Sequence, residues 1–222
     1  MTALVARPLC VVLLGPPASG KGTQGSRLAE SLGLNYLGTG APLRQQMAAG
    51  TDLGKQAFPI LARGEYLPDD LMCPILADWL CYQSGGWVLD GFPRSLQQAI
   101  FLDSWLFDRD LRLDAAISLE LSFDEILSRV ANRIECTGCH WTGRRGLLSV
   151  VGRCPVCSGL TDRRADDDEK NFRSRHAEFI SLTQPVIEHY RQSGLLYSCD
   201  ASPSQDQVAA LLLEKFTHPF LL

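Results

Sequence analysis

Lysine is scarce in this 222-residue chain, and long apolar runs are missing. Only four of its 21 basic residues are lysine, leaving 17 arginines. The planar guanidinium binds phosphate through paired N–H bonds, so this bias fits a protein that grips small anions, although a GC-rich coding sequence would also produce it. An excess of cations is missing too. The formal net charge of −4 argues against a general binder of nucleic acid or anionic membranes, which needs cations to displace counterions. Between Arg7 and Gly15 only six apolar residues occur in a row, too few for a signal segment or a membrane span, and no later run is long enough. The expectation is a cytoplasmic protein with no nucleic-acid and no membrane partner. Composition is otherwise ordinary for a folded protein, with 45% apolar and 21% charged residues.

What is present alternates. Apolar runs at Leu9 to Leu14, Trp87 to Leu89, Ala115 to Leu119 and Leu195 to Cys199, with a weaker one at Leu34 to Leu37, read as buried parallel strands. Helical patterns lie between and after them, at Lys21 to Leu32, Asp69 to Tyr82, Ser95 to Leu106, Phe123 to Arg133, Asp167 to Gln192 and Pro203 to Phe216. The predicted fold class is α/β, a single domain built on a doubly wound five-stranded parallel sheet that binds ligands at the carboxyl ends of its strands. Two segments break the alternation. Residues from about Thr39 to Leu67 carry extra helical pattern, and Arg133 to Arg164 is rich in Gly, Arg and Cys; both read as insertions above the strand ends.

Directly after the first strand comes Gly15-Pro16-Pro17-Ala18-Ser19-Gly20-Lys21-Gly22-Thr23. The glycines let successive backbone N–H groups turn inward, the next helix presents its positive end, and Lys21 adds a point charge: a phosphate cradle. Gly22 stands where this fingerprint has Ser or Thr, and the hydroxyl arrives one residue later, at Thr23. The third strand ends in Asp90, where a phosphate-loop enzyme places the acid that orients Mg²⁺.

Cysteine numbers eight, and four fall in two tight pairs, Cys136-x2-Cys139 and Cys154-x2-Cys157, separated by fourteen residues. That spacing suits four thiolates around a structural Zn²⁺ in a segment with few large apolar residues to form its own core. His140 could compete as a ligand. Cys10, Cys73, Cys81 and Cys199 sit in apolar strands or helices and read as small buried hydrophobes.

Four stretches, GPPASGKGT, GTGAPLR at Gly38 to Arg44, LDGFPRSLQQA at Leu89 to Ala99, and RRADDDEKNFRSR at Arg163 to Arg175, resemble the signature blocks of the adenylate kinase family, in order and at family-like spacing. The resemblance covers nearly the whole chain. It implies reversible transfer of the γ-phosphoryl group of Mg·ATP to AMP, giving two ADP. It divides the chain into a core (1–37, 68–131, 167–222), an AMP-binding insertion (38–67) and a zinc lid (132–166). The implied AMP site is Thr39, Arg44, Glu65, Tyr66, Leu67, Gly91, Phe92, Pro93, Arg94 and Gln98, with Gln98 facing the base and Gln97 turned away. ATP falls to the phosphate loop with Arg129, Arg133, Trp141 and Thr142. Arg129, Arg133, Arg164 and Arg175 would surround the transferred group, Arg164 and Arg175 also reaching AMP, with Lys21, Arg94 and Asp90 beside them. Asp166 and Asp167 read first as a negative helix N-terminus and second as a hinge or as orienters of arginine. Departures from the family pattern are Ala41 in place of Asp, a single Arg133 followed by Ile134 before the lid, a short lid and Trp141 as its aromatic. A kinase for UMP, CMP or GMP, or a non-catalytic binder of nucleotide and zinc, stays open at this stage.

Overall fold

Strands buried on both faces need no polar alternation, and the inner strands here have none. β1 (Cys10–Leu14) is buried throughout, and β3 (Trp87–Asp90) and β4 (Ala115–Glu120) are buried at all but their last residues. β2 (Asn35–Gly38) and β8 (Leu196–Asp200) form the partly exposed edges. The computed structural model, which describes residues 7–139, 141–148, 150–163, 167 and 169–217, joins them into one parallel sheet in the order β2-β3-β1-β4-β8. All five predicted strands are present, the weak one included. β1 is flanked by β3 and β4; the chain fills the β2-β3 side first and then crosses to β4 and β8, so the loop after β1 opens at the point where strand order reverses, the crevice in which such sheets bind ligands.

Nine helices are described: α1 (Lys21–Leu32), α2 (Gly40–Ala48), α3 (Asp52–Leu61), α4 (Asp69–Cys81), α5 (Leu96–Phe107), α6 (Phe123–Asn132), α7 (Glu169–Glu178), α8 (Gln184–Gln192) and α9 (Gln205–Thr217). They cover both sheet faces. Val12, Leu89 and Ala116 pack with Leu76, Leu102, Val186 and Tyr190, whereas Val11, Val88 and Ile117 pack with Leu28, Val208 and Leu212. Neighbours on a strand point to opposite faces, so Val11 and Val12 belong to different cores.

The helix predicted over Asp167 to Gln192 is interrupted by a π-helical turn at Phe179–Thr183. Pro185, in the first turn of α8, has no N–H to continue the α-helical ladder, and the wider turn absorbs the break. The same turn lets the Thr183 hydroxyl donate to the Arg94 carbonyl at 2.9 Å.

Two additions stand on this frame. α2 and α3 follow β2, and a three-stranded antiparallel sheet in the order β6-β5-β7, from β5 (Arg133–Cys136), β6 (Thr142–Arg144) and β7 (Thr161–Asp162), follows α6. The latter is entered through α6, whose first turn is closed by a reciprocal pair: Glu125 N–H donates to the Ser122 hydroxyl, and Ser122 N–H to the Glu125 carboxylate. Ser122→Ala is expected to cost about 1 kcal/mol of stability, read from the urea midpoint, without changing activity in the folded range.

Candidate functional site

The loop after β1 has left-handed backbone at Gly15, Ala18 and Gly20, with φ of 136°, 63° and 102°. At Gly15 a side chain is also excluded by space, because a Cβ there would lie 2.6 Å from the Leu119 carbonyl oxygen. Lys21, the first residue of α1, folds back so that its Nζ donates to the carbonyls of Gly15 and Pro16 at 2.8 and 2.9 Å. Burial lowers its pKa to about 8; Asp90 opposes that shift, while Arg94, Arg175 and Arg133 add to it by like-charge repulsion. The Ser19 hydroxyl is buried within the loop and finds no hydrogen-bond partner among the described residues. Thr23 follows in the first turn of α1.

Asp90 stands at the carboxyl end of β3, in register with Gly38 of β2 and Leu13 of β1. Its carbonyl accepts from Thr39 N–H at 2.9 Å, and the Thr39 hydroxyl donates to the Asp90 and Gly91 carbonyls. The carboxylate lies beside Gly22 and accepts from the Tyr36 hydroxyl at 3.1 Å. Burial first, and Asp90 second, push that phenol well above its ordinary range.

The arginines are tethered to carbonyls and to one carboxylate. Arg129 reaches across to the Ser19 carbonyl at 3.0 Å and to that of Ala201, so it props the loop from behind; burial, then the nearby Arg144, lower its pKa. Arg133 makes a two-toothed pair with Asp167, which is fully buried, and the Arg175 guanidinium lies 3.8 Å from the same carboxylate. Asp167 thus orients arginine rather than merely heading a helix, and α7 starts two residues later. Arg164, Asp166 and His140 lie outside the described residues. Lys21, Arg94 and Arg175 line one cleft, with Gly15, Tyr66 and Thr183 also in its walls.

A second, narrow recess adjoins it, walled by Thr39, Tyr66, Leu67, Met72, Arg94 and Gln98. The Arg94 guanidinium is 4.5 Å from the Tyr66 ring centroid, and its Nε donates to the Gly91 carbonyl at 2.7 Å. Gln98 is buried and Gln97 exposed. The Gln98 amide already accepts from Arg94 N–H and donates to Asp69, both at 2.8 Å, which leaves one N–H and one lone pair for any ligand. Phe92 and Pro93 continue the strand-end loop, Phe92 fully buried and Pro93 lining the larger cleft. Glu65 is tied to Arg63 at the end of the insertion, outside both sets of lining residues. Arg44 faces neither cavity lining but Glu135 of β5, 3.4 Å away, so the two additions touch.

In the small sheet, Trp141 packs over Gly143, and Thr142 pairs with Glu135. The sulfurs of Cys136, Cys139, Cys154 and Cys157 all lie within 4.8 Å of one another, with separations of 3.5 Å (Cys136 to Cys157) and 3.6 Å (Cys139 to Cys154). The Cys139 and Gly138 N–H groups donate to Cys136 Sγ, and outweigh desolvation to bring its pKa to about 6. Cys139 goes the other way: although the Trp141 N–H lowers its pKa, burial and the neighbouring thiols raise it to about 12. Cys136 thus forms its thiolate readily, and Cys139 resists forming one.

Sequence reasoning did not single out Tyr36, Asp69, Glu135, Arg144 or Thr183. None of them carried a local signal; their contacts depend on long-range packing.

Comparison with known proteins adds a second line. A family model described as adenylate kinase matches residues 13–195. The chain is 36% identical over 202 residues to an adenylate kinase of Thermodesulfovibrio yellowstonii, covering 89% of this chain and 94% of that protein. It is 38% identical over 202 residues to one from Thermosipho melanesiensis, with the same coverage of 89% and 94%. Against one from Streptomyces griseus it is 36% identical over 211 residues, covering 92% and 95%.

Two outcomes follow from the geometry. Asp167→Asn removes the charge that holds Arg133, so stability in urea should fall by about 3 kcal/mol and turnover by at least about tenfold. Lys21 is charged below pH 8 and neutral above it in the ligand-free protein. A bound polyphosphate favours the charged form, so affinity from this group is flat below pH 8 and declines above it. Between its folded and unfolded pKa the unfolded chain holds the proton more tightly, so the same group's contribution to stability rises with pH. Calorimetry of ATP binding at pH 9 in two buffers of different ionisation enthalpy should register proton uptake; equal heats would contradict it.

Proposed function

The chain belongs to the adenylate kinase family and is a phosphotransferase, and on that premise we propose how its residues divide the transfer of a phosphoryl group from ATP to AMP. The observation that carries the assignment is the convergence of Lys21, Arg94 and Arg175 on one cleft beside a second recess walled by both apolar and polar side chains. Transfer between two polyanions needs little covalent chemistry from the protein; it needs alignment and charge compensation.

The loop Gly15 to Thr23 holds the phosphates of ATP. Its unpartnered Ser19 hydroxyl and left-handed residues fit an anion cradle. Asp90 beside the loop and Thr23 in the first helical turn are oxygen donors suited to magnesium. Magnesium, bound with ATP, supplies neutralisation of phosphate charge. Lys21 exchanges its two loop carbonyls for phosphate oxygens when ligand enters. Arg133 and Arg175, both held by Asp167, together with Arg164, face the charge that spreads over the transferring group. Arg129 stabilises the loop through the Ser19 carbonyl. Trp141 and Thr142 provide the lid side of the ATP base.

The smaller cavity takes AMP. Thr39, Tyr66, Leu67 and the free half of the Gln98 amide surround the base, and Arg94 binds its phosphate beside the Gly91-Phe92-Pro93 turn; Arg44 would join Arg94 there by leaving Glu135, and the chain at Glu65 borders the site next to Tyr66. The acceptor arrives mostly ionised, because a phosphate monoester has a second pKa of about 6, so no side-chain base is required. The core (1–37, 68–131, 167–222), the AMP-binding insertion (38–67) and the lid (132–166) then act as three parts of one domain.

The four sulfurs suit a structural zinc. A regular tetrahedron with Zn–S of about 2.3 Å has edges of about 3.8 Å, close to the sulfur separations present. The ion would supply the cohesion that the small sheet, with few buried apolar residues, lacks. We read the working protein as a cytoplasmic monomer. Among the described residues no helix is long and apolar enough to cross a membrane.

Mixed with Mg·ATP and a panel of AMP, GMP, CMP and UMP, the protein should form ADP rapidly with AMP alone; absence of ADP with AMP would sink the assignment. Cys136→Ser should lose metal by elemental analysis and melt several degrees lower. Full zinc content with wild-type melting in that variant would remove the metal site.

A further inference from the structure

We infer that Tyr36 is a positioning residue for the Asp90 carboxylate, and through it for the magnesium that accompanies ATP. The inference rests on the reading of Asp90 given above. The backbone of Asp90 is fixed by its pairing on both sides and by Thr39, but a carboxylate at a strand end can still turn about its side-chain bonds. Among the described residues, one hydrogen bond reaches that carboxylate: the Tyr36 hydroxyl donates to Oδ2 at 3.1 Å. Occupying one oxygen leaves the other to accept from water held by the metal, and removes the rotational freedom that would otherwise be lost on binding.

Tyr36 reaches Asp90 only because space is kept for its ring. A Cβ at Gly38 would lie 2.6 Å from the Tyr36 hydroxyl oxygen, and a Cβ at Gly25 would lie 2.8 Å from ring carbon Cε2. The third glycine at this site, Gly22, has room for a Cβ 3.5 Å from Asp90 Oδ2 and 3.7 Å from the Tyr36 hydroxyl. The phenol is therefore seated in a slot between β2 and α1, with its polar end delivered to the phosphate loop. A tyrosine needed only for packing would not require its hydroxyl to meet a carboxylate there.

The test compares Tyr36→Phe, Gly38→Ala and Asp90→Asn with the wild type. ATP affinity, without AMP, is measured by calorimetry in excess Mg²⁺ and in EDTA, and the ratio of the two dissociation constants gives the contribution of the metal. Tyr36→Phe should shrink that ratio by about threefold to tenfold, the worth of one hydrogen bond, with affinity in EDTA and for AMP unchanged. The Mg²⁺ concentration for half-maximal turnover should rise by a similar factor. Gly38→Ala, which keeps the hydroxyl but displaces it, should act in the same direction, and Asp90→Asn more strongly. A packing role alone would lower the melting temperature of Tyr36→Phe and leave the ratio intact. If Asp90→Asn shrinks the ratio and Tyr36→Phe does not, the inference about Tyr36 fails while the reading of Asp90 stands. If Asp90→Asn leaves the ratio unchanged, both fail.

Discussion

Mutual repulsion of cations is the constraint on which the rest of this structure depends. Lys21, Arg94, Arg133 and Arg175 lie close enough for each of the three arginines to disfavour the charge on Lys21. Such a cluster is useful for phosphate and costly without it. The fold holds it together by giving its members internal acceptors. Lys21 bends onto the carbonyls of its own loop, Arg94 onto that of Gly91, and Arg133 and Arg175 share the buried carboxylate of Asp167. Arg129 completes the pattern from behind the loop. These partners are mostly backbone oxygens, which compensate only part of a charge, so the site stays electropositive and ready for ligand.

The parallel sheet supplies the geometry for that arrangement. Its strands end together, so residues far apart in sequence, Gly15, Thr39, Asp90 and Gly91, meet along one edge. The helices that carry Arg129 and Arg175, α6 and α7, share a third small core of Ile126, Val130 and Phe172 beside the two that the alternating strand residues define. The π-helical turn before α8 extends the same logic, since it brings Thr183 onto the carbonyl of Arg94 and so couples the last part of the chain to the acceptor side. A second tie, between Arg44 and Glu135, connects the two additions that stand above the strand ends.

Much of this was legible from local pattern. The five strands and most helix limits follow from apolar runs and their punctuation, and the phosphate loop follows from glycine spacing, because both are consequences of backbone conformation over a few residues. The four cysteines were equally clear, since two tight turns bring their own ligands together. Asp167 shows where local reading falls short: a run of acids before a helix looks like dipole compensation, yet its carboxylate pairs with Arg133 of β5, with Arg175 of α7 close by. Gln98 shows it differently, as a residue correctly placed toward the cavity whose amide is already half engaged by Arg94 and Asp69.

The sequence by itself determined the fold class, the phosphate grip, the cysteine quartet and the family, because each is written in residues that are neighbours or lie at regular spacing. Tertiary structure alone decided which carboxylate orients which arginine, that Tyr36 reaches Asp90 through the slot that Gly25 and Gly38 leave open, and that Arg44 meets Glu135. Those are contacts between side chains from different elements, separated by as many as 91 residues for Arg44 and Glu135. Their partners are selected by packing direction and by the need to satisfy buried charge, neither of which any local stretch of sequence contains.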